Sequence, residues 1–144
     1  MSRRLDRRTF VKSSLLAGFG LPLLRTNGKA ASTERLSIAC IGVGGKGWSD
    51  MVETAKSPNV DIVALCDIDE GPKHMGRAAE AYPKATRYTD WREVLDKEKT
   101  DAVIVSTPDH MHAPIAFSAM KRGRHVYCQK PLTHTVHEAR TLAD

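Results

Sequence analysis

A glycine-rich turn is the first feature of this sequence whose residue types and spacing could do chemistry. Gly42, Gly44 and Gly47 fit the pattern G-x-G-x-x-G, and the same stretch also contains Gly45 and Lys46. Between a strand and a helix, the first glycine permits a tight turn, the second lets the main chain approach a pyrophosphate, and the third lets the helix pack closely on the strand. Free N–H groups at the helix start would face the phosphates, and Lys46 would add positive charge. Taken alone, the pattern also describes a glycine-rich turn without a ligand.

An aspartate 25 positions after Gly42 favours the ligand-binding interpretation. Asp67 comes at the carboxyl end of a second predicted strand, where an acidic side chain accepts hydrogen bonds from the ribose hydroxyls of a dinucleotide. A 2′-phosphate would be repelled by this carboxylate, and the next residues, Ile68 and Asp69, supply no arginine to offset the repulsion. The two motifs together predict NAD as the cofactor and disfavour NADP. The alternative is that Asp67 is a plain turn residue.

A lysine at the end of the fifth predicted strand is the candidate catalytic residue. The strand ends in Cys128-Gln129-Lys130-Pro131, so Lys130 should project toward the crevice that receives the nicotinamide end of a dinucleotide. Close to a positively charged nicotinamide and partly desolvated, its ammonium form is disfavoured, which suits a lysine that exchanges protons near neutral pH. The alternative is a structural lysine before a rigid proline.

A polar loop follows the fourth predicted strand, with the sequence Thr107-Pro108-Asp109-His110-Met111-His112. The carboxyl ends of parallel strands share one edge of a sheet, so this loop should lie beside the glycine turn, where open α/β sheets bind ligands. His110, His112 and Cys128 would offer zinc ligands, but two histidines two apart on a loop are common. Turn capping and packing against a cofactor are the alternatives, and we expect no metal site.

Short apolar runs alternate with amphipathic stretches along the rest of the chain, as in parallel strands joined by crossover helices. The predicted strands are 36–41, 61–66, a short strand at Tyr88, 102–107 and 125–128. The predicted helices run from Trp48 to about Ser57, from Met75 to Tyr82, from Trp91 to Asp96, from Ala113 to Met120 and from Thr135 to Ala143. The sequence therefore predicts an α/β fold with a doubly wound, parallel, Rossmann-type sheet. We expect the chain to end before the sixth strand of such a sheet.

The N-terminal segment has the pattern of an export signal. Residues 1–30 hold seven basic residues against one acidic residue, a formal charge of +6, whereas the whole chain carries +5. The remainder therefore carries −1, which gives no broad basic surface for nucleic acid, and we exclude nucleic-acid binding as the main function. Paired arginines at Arg7 and Arg8 precede an apolar run over 13–24, which resembles a twin-arginine signal and is too short for a stable membrane span.

The predicted export signal determines the expected domain boundaries and the expected cellular compartment. We predict a twin-arginine-type signal peptide over 1–30 with cleavage after Ala30, a linker over 31–35 and a cofactor domain over 36–144. The expected destination is the periplasm, with the twin-arginine export machinery as a partner. Three scattered cysteines form no disulfide framework, so we interpret them as small buried residues: Cys40, Cys66 and Cys128.

Taken together, these blocks resemble the Gfo/Idh/MocA family, named for glucose-fructose oxidoreductase, inositol dehydrogenase and rhizopine catabolism. The resemblance spans about 36–144 and rests on the order of the glycine turn, Cys66-Asp67, Thr107-Pro108-Asp109 with His112, Gly123-Arg124-His125-Val126 and Lys130-Pro131. It implies that Lys130 contacts cofactor and substrate and assists proton transfer, and it is compatible with a cis Lys130-Pro131 bond. It also implies cofactor contacts for Thr107, Pro108, His112, Gln129 and Pro131.

The sequence departs from the family pattern at two positions. Gln129 stands where the common motif has glutamate, and Asp109 stands where asparagine is frequent. The glutamine removes a negative charge near the nicotinamide. This departure bears directly on how Lys130 is tuned.

The resemblance also implies what lies beyond this chain and what the whole protein does. The family's second domain is an open, mostly antiparallel sheet of α+β type whose Asp and His pair binds and deprotonates substrate, and we expect this chain to end before it. Hydride transfer between NAD(P) and a hydroxyl or carbonyl carbon of a sugar, polyol or related small molecule is the expected reaction, and any homo-oligomer would form through the second domain. The alternatives are an NAD-dependent glycosidase that works by transient oxidation, and a non-catalytic dinucleotide-binding module. A methyltransferase would use the same glycine turn but gives no reason for Lys130-Pro131.

Overall fold

A computed structural model describes residues 35–144, which form one parallel five-stranded sheet. The predicted signal peptide lies outside the described residues, as does the linker up to residue 34. The strands are β1 (Leu36–Ile41), β2 (Val60–Cys66), β3 (Thr86–Tyr88), β4 (Ala102–Val105) and β5 (His125–Cys128). Their order in the sheet is β3-β2-β1-β4-β5, with every neighbouring pair parallel.

Helices cover both faces of the sheet, as the doubly wound prediction requires. They are α1 (Gly45–Ala55), α2 (Met75–Ala81), α3 (Trp91–Lys97), α4 (His112–Lys121) and α5 (Val136–Ala143), with a short 3-10 helix at Asp109–Met111. Alternate side chains of β1 point to opposite faces of the sheet. Ile38 and Cys40 belong to the core cluster that includes Met51 of α1, whereas Ala39 and Ile41 belong to the cluster that includes Ile115 of α4. The predicted fold class is confirmed.

Local sequence signals fix several helix ends. Gly123 follows α4 with a φ of 75°, a conformation that glycine adopts without the steric cost of a side chain. Thr135 caps α5 through a capping box, because its hydroxyl accepts from the N–H of Glu138 while the Glu138 carboxylate accepts from the N–H of Thr135. Because all five strands are parallel, the loops after β1, β2, β4 and β5 lie at one edge of the sheet.

Several predicted boundaries differ from the structure by one to three residues; β2 begins at Val60, α1 spans Gly45–Ala55 and α4 spans His112–Lys121. The strand predicted over 102–107 ends at Val105, because Ser106 and Thr107 turn to pass directly beside the main chain of Gly42. Tyr82, predicted inside a helix, lies at the C-cap of α2. The strands predicted over 36–41 and 125–128 are observed with those bounds. Of the helices that the structure describes, none has the length and hydropathy that crossing a membrane requires.

Candidate dinucleotide-binding site

A cleft of about 410 Å³ opens at the carboxyl edge of the sheet, between the loops that follow β1, β2 and β4. The order of strands reverses at β1 and β4, and in open α/β sheets ligands bind at this switch point. Five residues predicted as cofactor contacts line the cleft: Gly42, Gly44, Asp67, Thr107 and Pro108. The wall also includes three residues that were not among the predicted cofactor contacts: His74, Ser106 and His110, of which His110 belongs to the polar loop predicted to lie at this edge.

The glycine turn is built for close main-chain contacts. Gly42 has a φ of 82°, and a Cβ atom there would lie 2.6 Å from the carbonyl oxygen of Ser106. A Cβ on Gly47 would lie 1.9 Å from the carbonyl oxygen of Gly42, so no side chain fits between helix and turn. Gly45 has a φ of 48° with open space around it. Glycine is therefore required at these positions for two separate reasons, backbone conformation and close approach.

Asp67 bridges the end of β2 to the glycine turn. Its Oδ2 accepts hydrogen bonds from the N–H groups of Val43, at 2.9 Å, and Gly44, at 3.2 Å, while Oδ1 accepts from the N–H of Asp69 at 3.0 Å. The side chain is 11% exposed, so its carboxylate is held in one place at the cleft wall. The His74 imidazole lies 3.6 Å from Asp67 and occupies the space beside Gly44. A fixed carboxylate at this point fits ribose hydroxyls and opposes a 2′-phosphate.

The first turn of α1 offers main-chain donors to an anion. Gly44 is the N-cap residue and makes no side-chain cap bond, and the first N–H groups of any helix have no partner within the helix. Lys46, predicted to add charge toward phosphates, instead places its Nζ 2.6 Å from Oδ1 of Asp50. Contact between Lys46 and a cofactor stays a prediction.

Thr107 and His112, which follow β4, differ in their hydrogen bonding. The hydroxyl of Thr107 is buried in the cleft wall without a hydrogen-bond partner among the described residues, which suits a group awaiting a ligand. His112 is 1% exposed, and its ring nitrogens lie 2.6 Å from the carbonyl oxygen of Pro131 and 2.7 Å from that of Thr107. His112 therefore ties the loop after β4 to the segment after β5.

The segment after β5 carries the candidate catalytic lysine. The peptide bond between Lys130 and Pro131 is cis, in line with the family resemblance. Lys130 is exposed, and its main-chain N–H lies 3.2 Å from Oε1 of Gln129. The amide nitrogen of Gln129 donates to Oδ2 of Asp50 at 2.9 Å. Gln129 thus contacts a carboxylate on α1, a contact that the sequence did not predict.

Within residues 35–144, no group of three or more His, Cys, Asp or Glu side chains is arranged to hold a metal ion. Both ring nitrogens of His112 already lie against main-chain carbonyls. Burial raises the pKa of Cys128 to about 11, which disfavours the thiolate that a metal would need. Cys40 and Cys66 are buried as predicted, whereas Cys128 is half-buried.

The Gfo/Idh/MocA family model, described as an oxidoreductase family with an NAD-binding Rossmann fold, matches residues 36–144. The chain belongs to this family. The structure and the family match agree on NAD-binding as the role of the domain, because the glycine turn, Asp67 and the partnerless Thr107 hydroxyl fit a dinucleotide.

Similar Gfo/Idh/MocA proteins include both dehydrogenases and a glycosidase. The alpha-N-acetylgalactosaminidase of Shewanella oneidensis is 32% identical over 80% of this chain and 27% of its own length. The crystal structure of myo-inositol 2-dehydrogenase from Lactobacillus plantarum matches with a TM-score of 0.70 and 29% identity, over 76% of this chain and 32% of that one. GenD2 from gentamicin A biosynthesis, solved in complex with NAD, matches with a TM-score of 0.68 and 33% identity, over 76% and 31% of the two chains. The chain thus spans about a third or less of each relative.

Proposed function

We propose that this chain is the cofactor domain of an NAD-dependent oxidoreductase that transfers hydride to or from a sugar, polyol or related small molecule. The observation that carries the proposal is the convergence of the glycine turn and Asp67 on one cleft at the carboxyl edge of the sheet, the edge at which β5 delivers Lys130. The similarity to an inositol dehydrogenase and to an NAD-bound protein supports it.

Each part of the cleft has a role in holding the dinucleotide. The first-turn N–H groups of α1 bind the pyrophosphate, because they have no partner within the helix and Gly44 supplies no side-chain cap. The carboxylate of Asp67 accepts hydrogen bonds from ribose hydroxyls and selects NAD over NADP. The hydroxyl of Thr107 and the ring of Pro108 form the wall on the β4 side. Gln129 and Pro131 lie outside the lining of this cleft, and their contact with the cofactor rests on the family resemblance.

Bound NAD supplies the carbon that accepts or donates the hydride. Lys130 holds or moves the accompanying proton at its Nζ: when an alcohol carbon is oxidised, the hydroxyl proton leaves toward this nitrogen as the carbonyl forms. His112 holds the segment that carries Lys130 against the loop after β4, because its ring connects Thr107 to Pro131. The residues that bind the substrate belong to the second domain typical of the family.

The experiment that tests Lys130 compares Lys130→Ala with Lys99→Ala in the full-length protein, since Lys99 is an exposed lysine at the opposite end of β4. Proton transfer by a positioned side chain contributes about 10²–10⁴-fold in rate. We expect kcat to fall by that factor in Lys130→Ala while the Kd for NAD changes little, and no change in Lys99→Ala. Unchanged kcat in Lys130→Ala would refute the assigned role.

A second candidate function is an NAD-dependent glycosidase that oxidises its substrate transiently, favoured by the similarity to an alpha-N-acetylgalactosaminidase. Such an enzyme would return the hydride to the product, so net hydrolysis would leave nicotinamide absorbance unchanged. Assays with myo-inositol and with an aryl α-N-acetylgalactosaminide, each followed by both absorbance and product analysis, separate the two functions. Steady formation of NADH supports the dehydrogenase, and released sugar without NADH supports the glycosidase.

We also propose that residues 1–30 direct the protein to the periplasm through the twin-arginine machinery, on the strength of the arginine pair and the apolar run that follows. Replacing Arg7 and Arg8 with lysine should retain the protein in the cytoplasmic fraction. The same exchange at Arg3 and Arg4 is the matched control and should leave export intact. Any homo-oligomer would form through the second domain, which sedimentation of the full-length protein tests.

A further inference from the structure

A buried carboxylate beneath the site has no part in the cofactor contacts described so far. Asp50 lies on α1 and is only 6% exposed. Its Oδ1 accepts from Nζ of Lys46 at 2.6 Å, and its Oδ2 accepts from the hydroxyl of Ser106 at 2.8 Å and from the amide of Gln129 at 2.9 Å. The donors come from the first turn of α1 itself, from the residue after β4 and from the residue after β5. One side chain therefore joins three of the segments that form the site.

The hydrogen bonds keep this carboxylate ionised. Burial by itself would raise the pKa of Asp50, but the hydrogen bonds from Lys46, Ser106 and Gln129 outweigh burial and lower the pKa below its usual value. An ionised carboxylate only accepts hydrogen bonds, so every neighbour must present a donor to it.

This requirement fixes the orientation of Gln129. Its NH₂ group must face Asp50, which turns Oε1 toward the main-chain N–H of Lys130, at 3.2 Å. A glutamate at position 129 would instead put a carboxylate oxygen where the amide nitrogen now lies, 2.9 Å from Oδ2 of Asp50. The hydrogen bond would be lost and two like charges would meet in a buried place. An acidic residue at 50 and a neutral donor at 129 are thus a matched pair.

We propose that Asp50 is a positioning residue of the NAD site, which orients Gln129 and, through it, the main chain of Lys130. The proposal rests on the proposed function, because the effect of Asp50 is exerted through residues assigned to cofactor binding and proton transfer.

The test is a double-mutant cycle in the full-length protein, with Asp50→Asn, Gln129→Glu and the combined variant. Gln129→Glu should weaken NAD binding about tenfold or more, because the two carboxylates repel each other. Asp50→Asn should have an effect of similar size, because an asparagine turns an NH₂ group toward one of the donors. In the combined variant the amide and the carboxylate have exchanged places, so the hydrogen bond returns, and Kd should lie within about threefold of the wild-type value.

The control removes a hydrogen bond of the same kind elsewhere. Glu98 accepts from the hydroxyl of Tyr88 at 2.6 Å, away from the residues that line the cleft. Glu98→Ala should lower the melting temperature without changing the Kd for NAD, which separates a stability effect from a positioning effect.

The outcomes are distinct. Recovery of NAD affinity in the combined variant supports the proposal. Additive losses in the combined variant, or a Gln129→Glu variant that binds NAD like the wild type, overturn it while leaving the proposed function in place. A wild-type protein that binds no NAD overturns the proposed function and this proposal with it.

Discussion

At the scale of single residues, Asp67 has two tasks in one position. Its carboxylate accepts from the N–H groups of Val43 and Gly44, so it shapes the glycine turn, and it also faces the cleft where ribose hydroxyls would bind. The hydrogen bonds hold the charge in place before any cofactor arrives. Cofactor preference should therefore depend on this one carboxylate.

Replacing Asp67 with asparagine tests this dependence. Hydrogen bonds to charged groups contribute about 1.5–3 kcal/mol, so Asp67→Asn should weaken NAD binding by about tenfold or more. NADP binding should weaken less or improve, because the repulsion of a 2′-phosphate is removed. Calorimetric titration of the full-length protein with both nucleotides measures the change.

The matched control is Asp61→Asn, on the same strand but at its amino end, where Asp61 pairs with Arg35 at 2.8 Å. It should bind both nucleotides like the wild type. Equal losses in the two variants, or an unchanged preference for NAD in Asp67→Asn, would show that Asp67 does not set the cofactor.

Some residues of the candidate site could be predicted from the sequence and others could not, because their contacts differ in range along the chain. The glycine spacing and Asp67 were visible because their roles follow from local geometry at the ends of β1 and β2. Asp50 was invisible, because its partners Ser106 and Gln129 lie 56 and 79 positions away and meet it only when the strands pack. His74 escaped notice likewise, since its place beside Gly44 depends on the course of the loop after β2.

At the scale of elements, the contact between α1 and the end of β1 fixes the shape of the cleft. Gly47 sets this contact, because a Cβ atom at position 47 would lie 1.9 Å from the carbonyl oxygen of Gly42 and 3.1 Å from the Cβ atom of Ser106. The obstacle is main chain, which has no rotamer to change. Any side chain at Gly47 must push the helix away from the sheet.

Gly47→Ala is accordingly expected to lower the free energy of unfolding by about 3 kcal/mol and to abolish tight NAD binding. Gly45→Ala is the comparison, since its φ of 48° is strained for alanine but its surroundings are open. It should cost only about 1–2 kcal/mol. Urea unfolding of both variants measures the difference, and equal costs would contradict the close contact described for Gly47.

Element prediction succeeded where local signals were strong and failed where tertiary contacts decide. The bounds of β1 were readable from its apolar run, and the start of α5 was predicted at Thr135, one residue before the first residue of the helix. The end of β4 was predicted two residues late, because the prediction extended the apolar run of Ala102 to Val105 through Ser106 and Thr107, where the chain bends toward the glycine turn.

At the scale of the whole molecule, packing of the sheet buries the thiols of Cys40 and Cys66 and lowers their reactivity. Burial, with a smaller effect from the charge of Asp50, raises the pKa of Cys40 to about 12. Burial, with smaller effects from nearby carboxylates that begin with Asp67, raises the pKa of Cys66 to about 12 as well. Since the thiolate is the reactive form, the native fold should protect both cysteines from alkylation.

The same shifts predict how stability depends on pH. Between pH 9.0, the usual pKa of the thiol, and about 12, Cys66 stays protonated when folded and loses its proton when unfolded. The stabilisation is thus fully present below pH 9 and is lost as pH rises toward 12. Urea unfolding at increasing pH should show a steeper fall in the wild type than in Cys66→Ala. Identical slopes, or rapid alkylation of the native protein by iodoacetamide at about pH 8, would contradict the burial of this thiol.

At this scale we expect the carboxyl edge of the sheet to bind one NAD molecule. Calorimetric titration of the full-length protein with NAD and then with NADP tests it most directly. We predict one NAD site per chain and an affinity for NADP at least about tenfold weaker, in keeping with the fixed carboxylate of Asp67. Absence of binding by either nucleotide, or tighter binding of NADP, would contradict it.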